Sequence, residues 1–486
     1  QWKMNPGKII DPYGMTENLR VGPDYNPPQP QTYFAFQGDH HSFARAALRC
    51  VGVGKCRREG GGTMCPSYMV TREEMHSTRG RARLLWEMLA GALRDEGFQS
   101  KAVHEALDLC LSCKACKSEC PVQVDMAAYK SEFLAQRYKG RLHPLQHYIF
   151  GFADRLARWG SLTPALTNAL LTGPVTSPLI KHIAGVAQQR QLPRLAAQSY
   201  QKQRASSETA NVPRPTRKQD AARPGGQSAA PQVPEGQSAP PQVAQVAQVV
   251  LWPDTWNNYY HPQTLAAAEK VLTQAGFRVE TPRGHICCGR PLYDFGLLAA
   301  ARAYLAGILD RVAPQIEAGL PFIFLEPSCA SVFKDELLEL FPHDARAQRL
   351  SRQVWLLADW LAAKAPDFVP SGLQGAHILM HGHCHHKAVF GGPVSEIALL
   401  RRAGATVEPI QAGCCGMAGP FGFEADKFEV SKAIAQDGLL PAVESAGPMT
   451  LLVADGFSCR EQISQLAHKR AFHFAEVLAH SCGCGE

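Results

Sequence analysis

The chain has 486 residues, 45% hydrophobic and 19% charged, with a net charge of +7. That is the composition of an ordinary folded protein with room for two to four domains at roughly 150 residues each. No compact run of lysine and arginine stands out, which argues against a nucleic-acid partner. The 16 cysteines fall in tight groups, as expected of thiolate ligands kept reduced in a cytoplasm.

Residues 1–41 are rich in proline, glycine and asparagine and read as an extended tail. Asn5-Pro6-Gly7-Lys8 opens the chain without a helix or strand to start a domain, so the segment reads as a cut piece. From 42 to 140 the pattern is helical around cysteine-bearing loops. Arg79–Leu93 is one such helix: Leu84, Leu85, Met88 and Leu89 form an apolar stripe, with Arg79, Arg81 and Arg83 expected on a solvated face or near an acidic cluster.

The run Cys110, Cys113, Cys116, Cys120, Pro121 has the C-x2-C-x2-C-x3-C-P spacing of a 4Fe-4S loop, in which the fourth cysteine usually serves a second cluster. A disulfide framework does not need two-residue gaps, and a zinc site needs only two pairs. The earlier group is Cys50, Cys56 and Cys65-Pro66. Paired as in a two-cluster ferredoxin, Cys110, Cys113 and Cys116 with Cys65 make one complete set. Cys50, Cys56 and Cys120 make the other, which lacks a thiolate because Val53 stands where a cysteine belongs. A three-iron cluster, a non-cysteine ligand such as His40 or His41, or no second cluster at all would account for it. With one cluster only, Cys120 is the alternative fourth ligand to Cys65. Gly60-Gly61-Gly62 lacks the lysine and serine of a P-loop and reads as slack in a cluster loop.

Residues 141–203 form a helical connector broken by Pro144, Pro164, Pro174 and Pro178. Its most apolar stretch, Leu162–Ile180, is a poor spanning helix, and a peripheral contact with a membrane stays open. Residues 204–248 are dominated by Ala, Pro, Gln, Ser and Gly, repeat the unit Gly-Gln-Ser-Ala, and read as a disordered linker that does not by itself fix the two halves in place.

Residues 249–486 contain an internal duplication. The order strand, helix, strand, Cys287-Cys288-Gly289, helix, strand and Cys329 returns as strand, helix, strand, Cys414-Cys415-Gly416, helix, strand and Cys459. Alternation of this kind implies parallel sheets with ligands at strand ends. The second half offers Cys384, Cys414, Cys415 and Cys459. In the first half Trp256 falls where Cys384 sits, leaving Cys287, Cys288 and Cys329. Adjacent cysteines strain a simple tetrahedral zinc and suit a non-cuboid iron-sulfur cluster, with zinc or a redox-active thiol pair as the other readings. Within His381-Gly382-His383-Cys384-His385-His386, imidazoles could ligate or accept protons. Cys482 and Cys484 have no partners at motif spacing. The fold class expected is multidomain, α plus α/β: an all-helical ferredoxin-like domain and a duplicated α/β Cys-Cys-Gly module.

Together, Cys-Pro-Ser-Tyr at 65–68, Ser-Thr-Arg-Gly-Arg-Ala at 77–82, the four-cysteine loop and two Cys-Cys-Gly modules resemble the iron-sulfur half of fused flavoproteins of the D-2-hydroxyglutarate dehydrogenase type. Glycolate oxidase and D-lactate dehydrogenase are relatives of that type. The resemblance implies that Asn5–Lys8 ends an absent FAD-linked oxidase domain. That domain would take hydride from a D-2-hydroxy acid, and this half would relay electrons singly to a quinone or an electron-transfer flavoprotein. It implies cytoplasmic residence, with a place at the inner-membrane surface left open. Ligand assignments by resemblance stop at Val53 and Trp256. A heterodisulfide-reductase-like thiol-disulfide unit and a zinc-held docking module are the alternatives.

Overall fold

Among the described residues, eight short strands make two four-stranded sheets, parallel throughout. The first contains β1 (Gln248–Leu251), β2 (Arg278–Glu280), β3 (Phe322–Phe324) and β4 (Val354–Leu356) in the order β2-β1-β3-β4. The second contains β5 (His377–His381), β6 (Thr406–Pro409), β7 (Thr450–Ala454) and β8 (Ala471–Phe472) in the order β6-β5-β7-β8, the same arrangement. The duplication is thus one of topology as well as of motif order. The closing strands β4 and β8, three and two residues long, were not anticipated.

The computed structural model describes residue 14, residues 25–210 and residues 246–481. Asn5–Lys8, most of the 204–248 segment, and Cys482 and Cys484 lie outside the described residues. Two boundaries shift. The helix Tyr200–Ala210 runs into the segment read as linker, and β1 begins at Gln248. The tail is also not loose at its end, since Phe34 and Phe36 are buried and Phe34 stacks on Tyr293.

Alternation along the strands assigns the two faces of the first sheet. Val249, Leu251 and Ile323 pack in one core with Ile378, Met380 and Val453 of the second sheet. Val250, Phe322 and Phe324 face the opposite way, into a core shared with Phe43, Leu85, Tyr129 and Phe133 of the N-terminal helices. The two halves of the molecule therefore share one apolar core, which joins them where residues 204–248 by themselves would not.

Residues 25–210 are helical, with no named strand among the described residues. Polar caps set the starts. Ser77 Oγ accepts from the Gly80 N–H at 2.9 Å to open Thr78–Ala90, and Asp125 Oδ1 accepts from the Ala128 N–H at 3.2 Å to open Met126–Arg137, each satisfying an otherwise orphaned donor. Arg81 departs from the expected solvated face. It is buried, donating from Nε to Ala106 O at 2.7 Å and from Nη2 to Ser67 Oγ at 2.9 Å. Arg83, two residues on and so on the opposite face of the helix, is exposed.

Candidate metal centres

Cys65, Cys110, Cys113 and Cys116 line one small cavity with Thr78, Arg81 and Met126. Two backbone donors point at its sulfurs: the Thr78 N–H lies 3.0 Å from Cys65 Sγ and the Met126 N–H 3.4 Å from Cys116 Sγ. Thr78 Oγ1 adds a contact of 2.9 Å to Cys65 Sγ. Four convergent thiols with N–H groups aimed at sulfur are a donor set that fits a 4Fe-4S cluster, whose charge such hydrogen bonds stabilise. Burial drives Cys116 up to about 12, and burial with the negative charge at Cys384 drives Cys113 up as well. Unligated, these thiols keep their protons, so loading a metal must release them.

The second set is not gathered in this way. Cys50 and Cys120 are half-buried, Cys120 does not line the cavity of the other four, and Val53 is exposed. Cys56 is buried beside Cys65, whose thiol donates to it; with the Arg79 N–H at 3.4 Å, this lowers Cys56 to about 6 against its burial. His40 and His41 are exposed, and His41 Nδ1 contacts Ala35 O at 2.9 Å.

The two Cys-Cys-Gly turns have one geometry. Gly289 N–H meets Cys287 Sγ at 3.4 Å, and Gly416 N–H meets Cys414 Sγ at 3.4 Å. Both glycines have positive φ, +73° and +84°, a conformation that costs other residues. At Gly416 a side chain would also sit 2.3 Å from Ser431 O.

Electrostatics separates the halves. In the second, Cys414 donates to Cys384, with His383 and His385 assisting, and holds it well below the usual thiol range despite burial. Cys415 is lowered in the same way by Cys414 and Cys459. Burial of Cys384 and Cys415 is thus offset by their neighbours, and four buried sulfurs gathered in this way suit a cationic metal centre. In the first half, Cys288 and Cys329 lie 2.9 Å apart, and Cys287, Cys288 and Cys329 are all shifted upward, with burial a cause in each. Measured from the start of the helix after each first strand, Thr255 stands where Cys384 does, one residue before Trp256. Trp256 instead stacks on Phe457 at 4.5 Å.

The histidine run is buried. His383 Nδ1 accepts the His385 N–H at 3.2 Å, and His385 Nδ1 lies 3.6 Å from Cys384 Sγ. His383, Cys384 and His385 could together hold a metal, and behind them His386, Glu396 and Asp455 form a second buried group of ligand type.

The cluster loop is wedged between these centres. Leu111 packs with Cys414, Ser112 O accepts from Arg290 Nη2 at 3.3 Å just beyond Cys288-Gly289, and Cys113 shares a core with Cys384. Lys114 Nζ meets Asp335, Glu336 and Asp125 at 2.5, 3.1 and 3.3 Å. Gly62 is more than slack, because a Cβ on Gly413 would fall 2.2 Å from Gly62 O. Two residues escaped sequence reasoning. Arg290 directly follows the first Cys-Cys-Gly, the only signal it gave. Glu326 has no periodic signal, yet its Oε2 accepts the Phe457 N–H at 2.8 Å and ties the two halves together.

Residues 46–124 match the family described as 4Fe-4S dicluster domain, and residues 254–299 match the Cysteine-rich domain. The chain is 26% identical to the D-2-hydroxyglutarate dehydrogenase of Escherichia coli over 476 residues, covering 89% of this chain and 43% of that one. It is 26% identical to the Pseudomonas putida protein of the same name, covering 98% and 47%. It is 23% identical to the glycolate oxidase iron-sulfur subunit of Escherichia coli, covering 88% and 92%. The chain spans less than half the length of the two dehydrogenases.

Proposed function

We propose that this chain is the electron-transfer part of a FAD-dependent oxidoreductase acting on D-2-hydroxy acids of the D-2-hydroxyglutarate, glycolate and D-lactate class. The FAD-bearing domain, fused or separate, would take hydride from carbon 2 of the acid. A flavin collects two electrons at once, and a 4Fe-4S cluster, when bound, supplies one-electron exchange between that flavin and an acceptor.

One observation carries this reading: the loop Cys110–Cys116 is buried against Cys414, Arg290 and Cys384 together. The chain's own residues do three things there. Cys65, Cys110, Cys113 and Cys116 offer the ligand atoms, and the N–H groups of Thr78 and Met126 steady the sulfurs. Lys114, Asp335 and Glu336 hold the loop in register with the cysteine module. Leu111 and Phe421 help exclude water between loop and module.

Loaded with iron and sulfide but without flavoprotein, the chain should leave D-2-hydroxyglutarate, glycolate and D-lactate unoxidised. It should accept electrons once a reduced FAD-bearing partner is added. Turnover of a hydroxy acid by the chain alone would refute this division. A thiol-disulfide reading has one observation in its favour, the 2.9 Å approach of Cys288 and Cys329. It requires the chain to reduce a disulfide and to lose that activity in Cys329→Ala.

A further inference from the structure

His386, Glu396 and Asp455 are 1%, 2% and 6% exposed, and their ligand atoms all lie within 4.8 Å of one another. Local structure brings them there. His386 sits in the helix Cys384–Phe390, one turn before Phe390, whose ring it meets edge-on at 6.3 Å. The chain then reverses at Gly391 and Gly392, with φ of +85° and +91°, and the Gly392 N–H closes the turn on His386 O at 3.1 Å. That reversal sets Glu396, in the first turn of Val394–Arg402, against the imidazole. Asp455 directly follows β7 and so lies at a strand end, where parallel sheets gather ligands.

The polar atoms of this group are not satisfied by the protein. His386 Nε2 faces Glu396 Oε1 at 3.6 Å, too far for a hydrogen bond, and His386 Nε2 and Glu396 Oε2 are both buried without a partner in the chain. Buried orphans of this kind point to a bound water or ion. Asp455 is already oriented: its Oδ1 accepts the Phe474 N–H at 3.0 Å, with His473 Nε2 at 3.6 Å. His473 has no nitrogen left to offer, because Nδ1 accepts the Ala475 N–H at 3.0 Å and Nε2 contacts Leu325 O at 3.1 Å.

Charge decides between water and ion. Among the described residues no lysine or arginine pairs with Glu396 or Asp455. A water would satisfy the orphaned atoms and leave two buried carboxylates uncompensated, whereas a divalent cation offsets the desolvation of both. One imidazole nitrogen with carboxylate oxygens suits a transition metal such as zinc, manganese or iron. Ligands about 2.1 Å from a tetrahedral ion stand about 3.4 Å apart, close to the 3.6 Å between His386 Nε2 and Glu396 Oε1. None of the three residues lines the cavity that Cys384 and His385 face, so the site is closed from that chamber and suits a structural ion.

We propose that His386, Glu396 and Asp455 bind one divalent transition-metal cation, distinct from any metal at the cysteines, and that this ion clamps the second Cys-Cys-Gly half. His386 is two residues past Cys384 and Asp455 four before Cys459. The ion thus ties together the two segments that present those sulfurs. The site goes beyond the relay reading and does not depend on it.

The test uses the full chain, loaded with iron and sulfide without oxygen, dialysed against Zn2+ and counted for metals by mass spectrometry. The unaltered chain should hold one Zn2+ more than Glu396→Gln and should gain urea resistance from it. Glu396→Gln should weaken binding at this site by at least about a hundredfold, the upper end of what loss of an outer-shell partner costs, and should lose the urea effect. His386→Gln gives the same reading should Glu396→Gln fail to fold. Cys414→Ala with Cys415→Ala, which removes the neighbouring thiols, should keep the ion. An unaltered chain that binds no Zn2+ overturns the proposal, as does equal Zn2+ in the unaltered chain and in the folded Glu396→Gln or His386→Gln. Loss of the ion in the cysteine variant, with retention in Glu396→Gln, assigns the zinc to the thiols and overturns it too.

Discussion

Lys114 Nζ, on the turn between Cys113 and Cys116, lies 2.5 Å from Asp335 Oδ2, just past the helix that carries Cys329. Lys114 is 1% exposed, and Asp125 and Glu336 complete its shell. The lysine keeps its charge because these carboxylates outweigh its desolvation. Lys114→Met should therefore leave Asp335 and Asp125 to Lys117 and Glu336 to Arg290 and cost less than the about 3–5 kcal/mol of a fully orphaned buried charge, read as a lower urea midpoint under anaerobic conditions.

The same clamp sets an acid limit. Burial works against ionisation of Asp125 and Glu336, yet Lys114 and its cationic neighbours hold both below their usual range. A depressed carboxylate contributes stability above its unfolded pKa, about 4, and loses it as pH falls through the folded value. The stability gap between wild type and Lys114→Met should be constant from neutrality to about pH 5 and close below about pH 4. A gap that widens in acid would contradict the clamp.

His147 adds to the acid sensitivity in the same sense. Burial, with help from His143, lowers it to about 3, so the folded chain binds fewer protons than the unfolded one below about pH 6.5. Its contribution is present above that pH and is lost towards the folded value, at most about 1.4 kcal/mol per pH unit. His147→Phe should flatten the fall of the urea midpoint between pH 6.5 and 4.5. An unchanged slope would place the acid sensitivity elsewhere.

Gly413→Ala tests the seam between cluster loop and cysteine module. Its Cβ would meet backbone at Gly62 and Thr63, which cannot swing aside as a side chain can. Overpacking of this kind costs about 1–3 kcal/mol. Gly447→Ala, with only Thr450 Oγ1 at 3.7 Å, should be nearly silent and serves as the control.

Legibility divides along range. Spacing marks Cys110, Cys113 and Cys116 as one loop because a short loop limits where thiols can reach, whereas the two-cluster ferredoxin pattern pairs Cys65 with them and keeps Cys120 as the alternative; Cys65 lines their cavity. Motif order exposed the duplication because each unit repeats its strand and turn residues. The joint between the halves was hidden, since Lys114, Asp335 and Glu336 are some 220 residues apart and carry no period. Arg81 resembled a surface arginine because only the folded chain brings it Ala106 O and Ser67 Oγ. Motif order sets Trp256 against Cys384, whereas the helix start aligns Thr255.

The central claim is that Cys65, Cys110, Cys113 and Cys116 hold the cluster that adjoins the cysteine module. Its most direct test is anaerobic iron and sulfide analysis with electron paramagnetic resonance on dithionite-reduced Cys65→Ser and Cys120→Ser, compared with the unaltered chain. The account predicts that Cys65→Ser loses or changes the 4Fe-4S signal and that Cys120→Ser retains it. Loss in Cys120→Ser with an intact signal in Cys65→Ser would contradict it, as would an unaltered chain that binds no iron or labile sulfide.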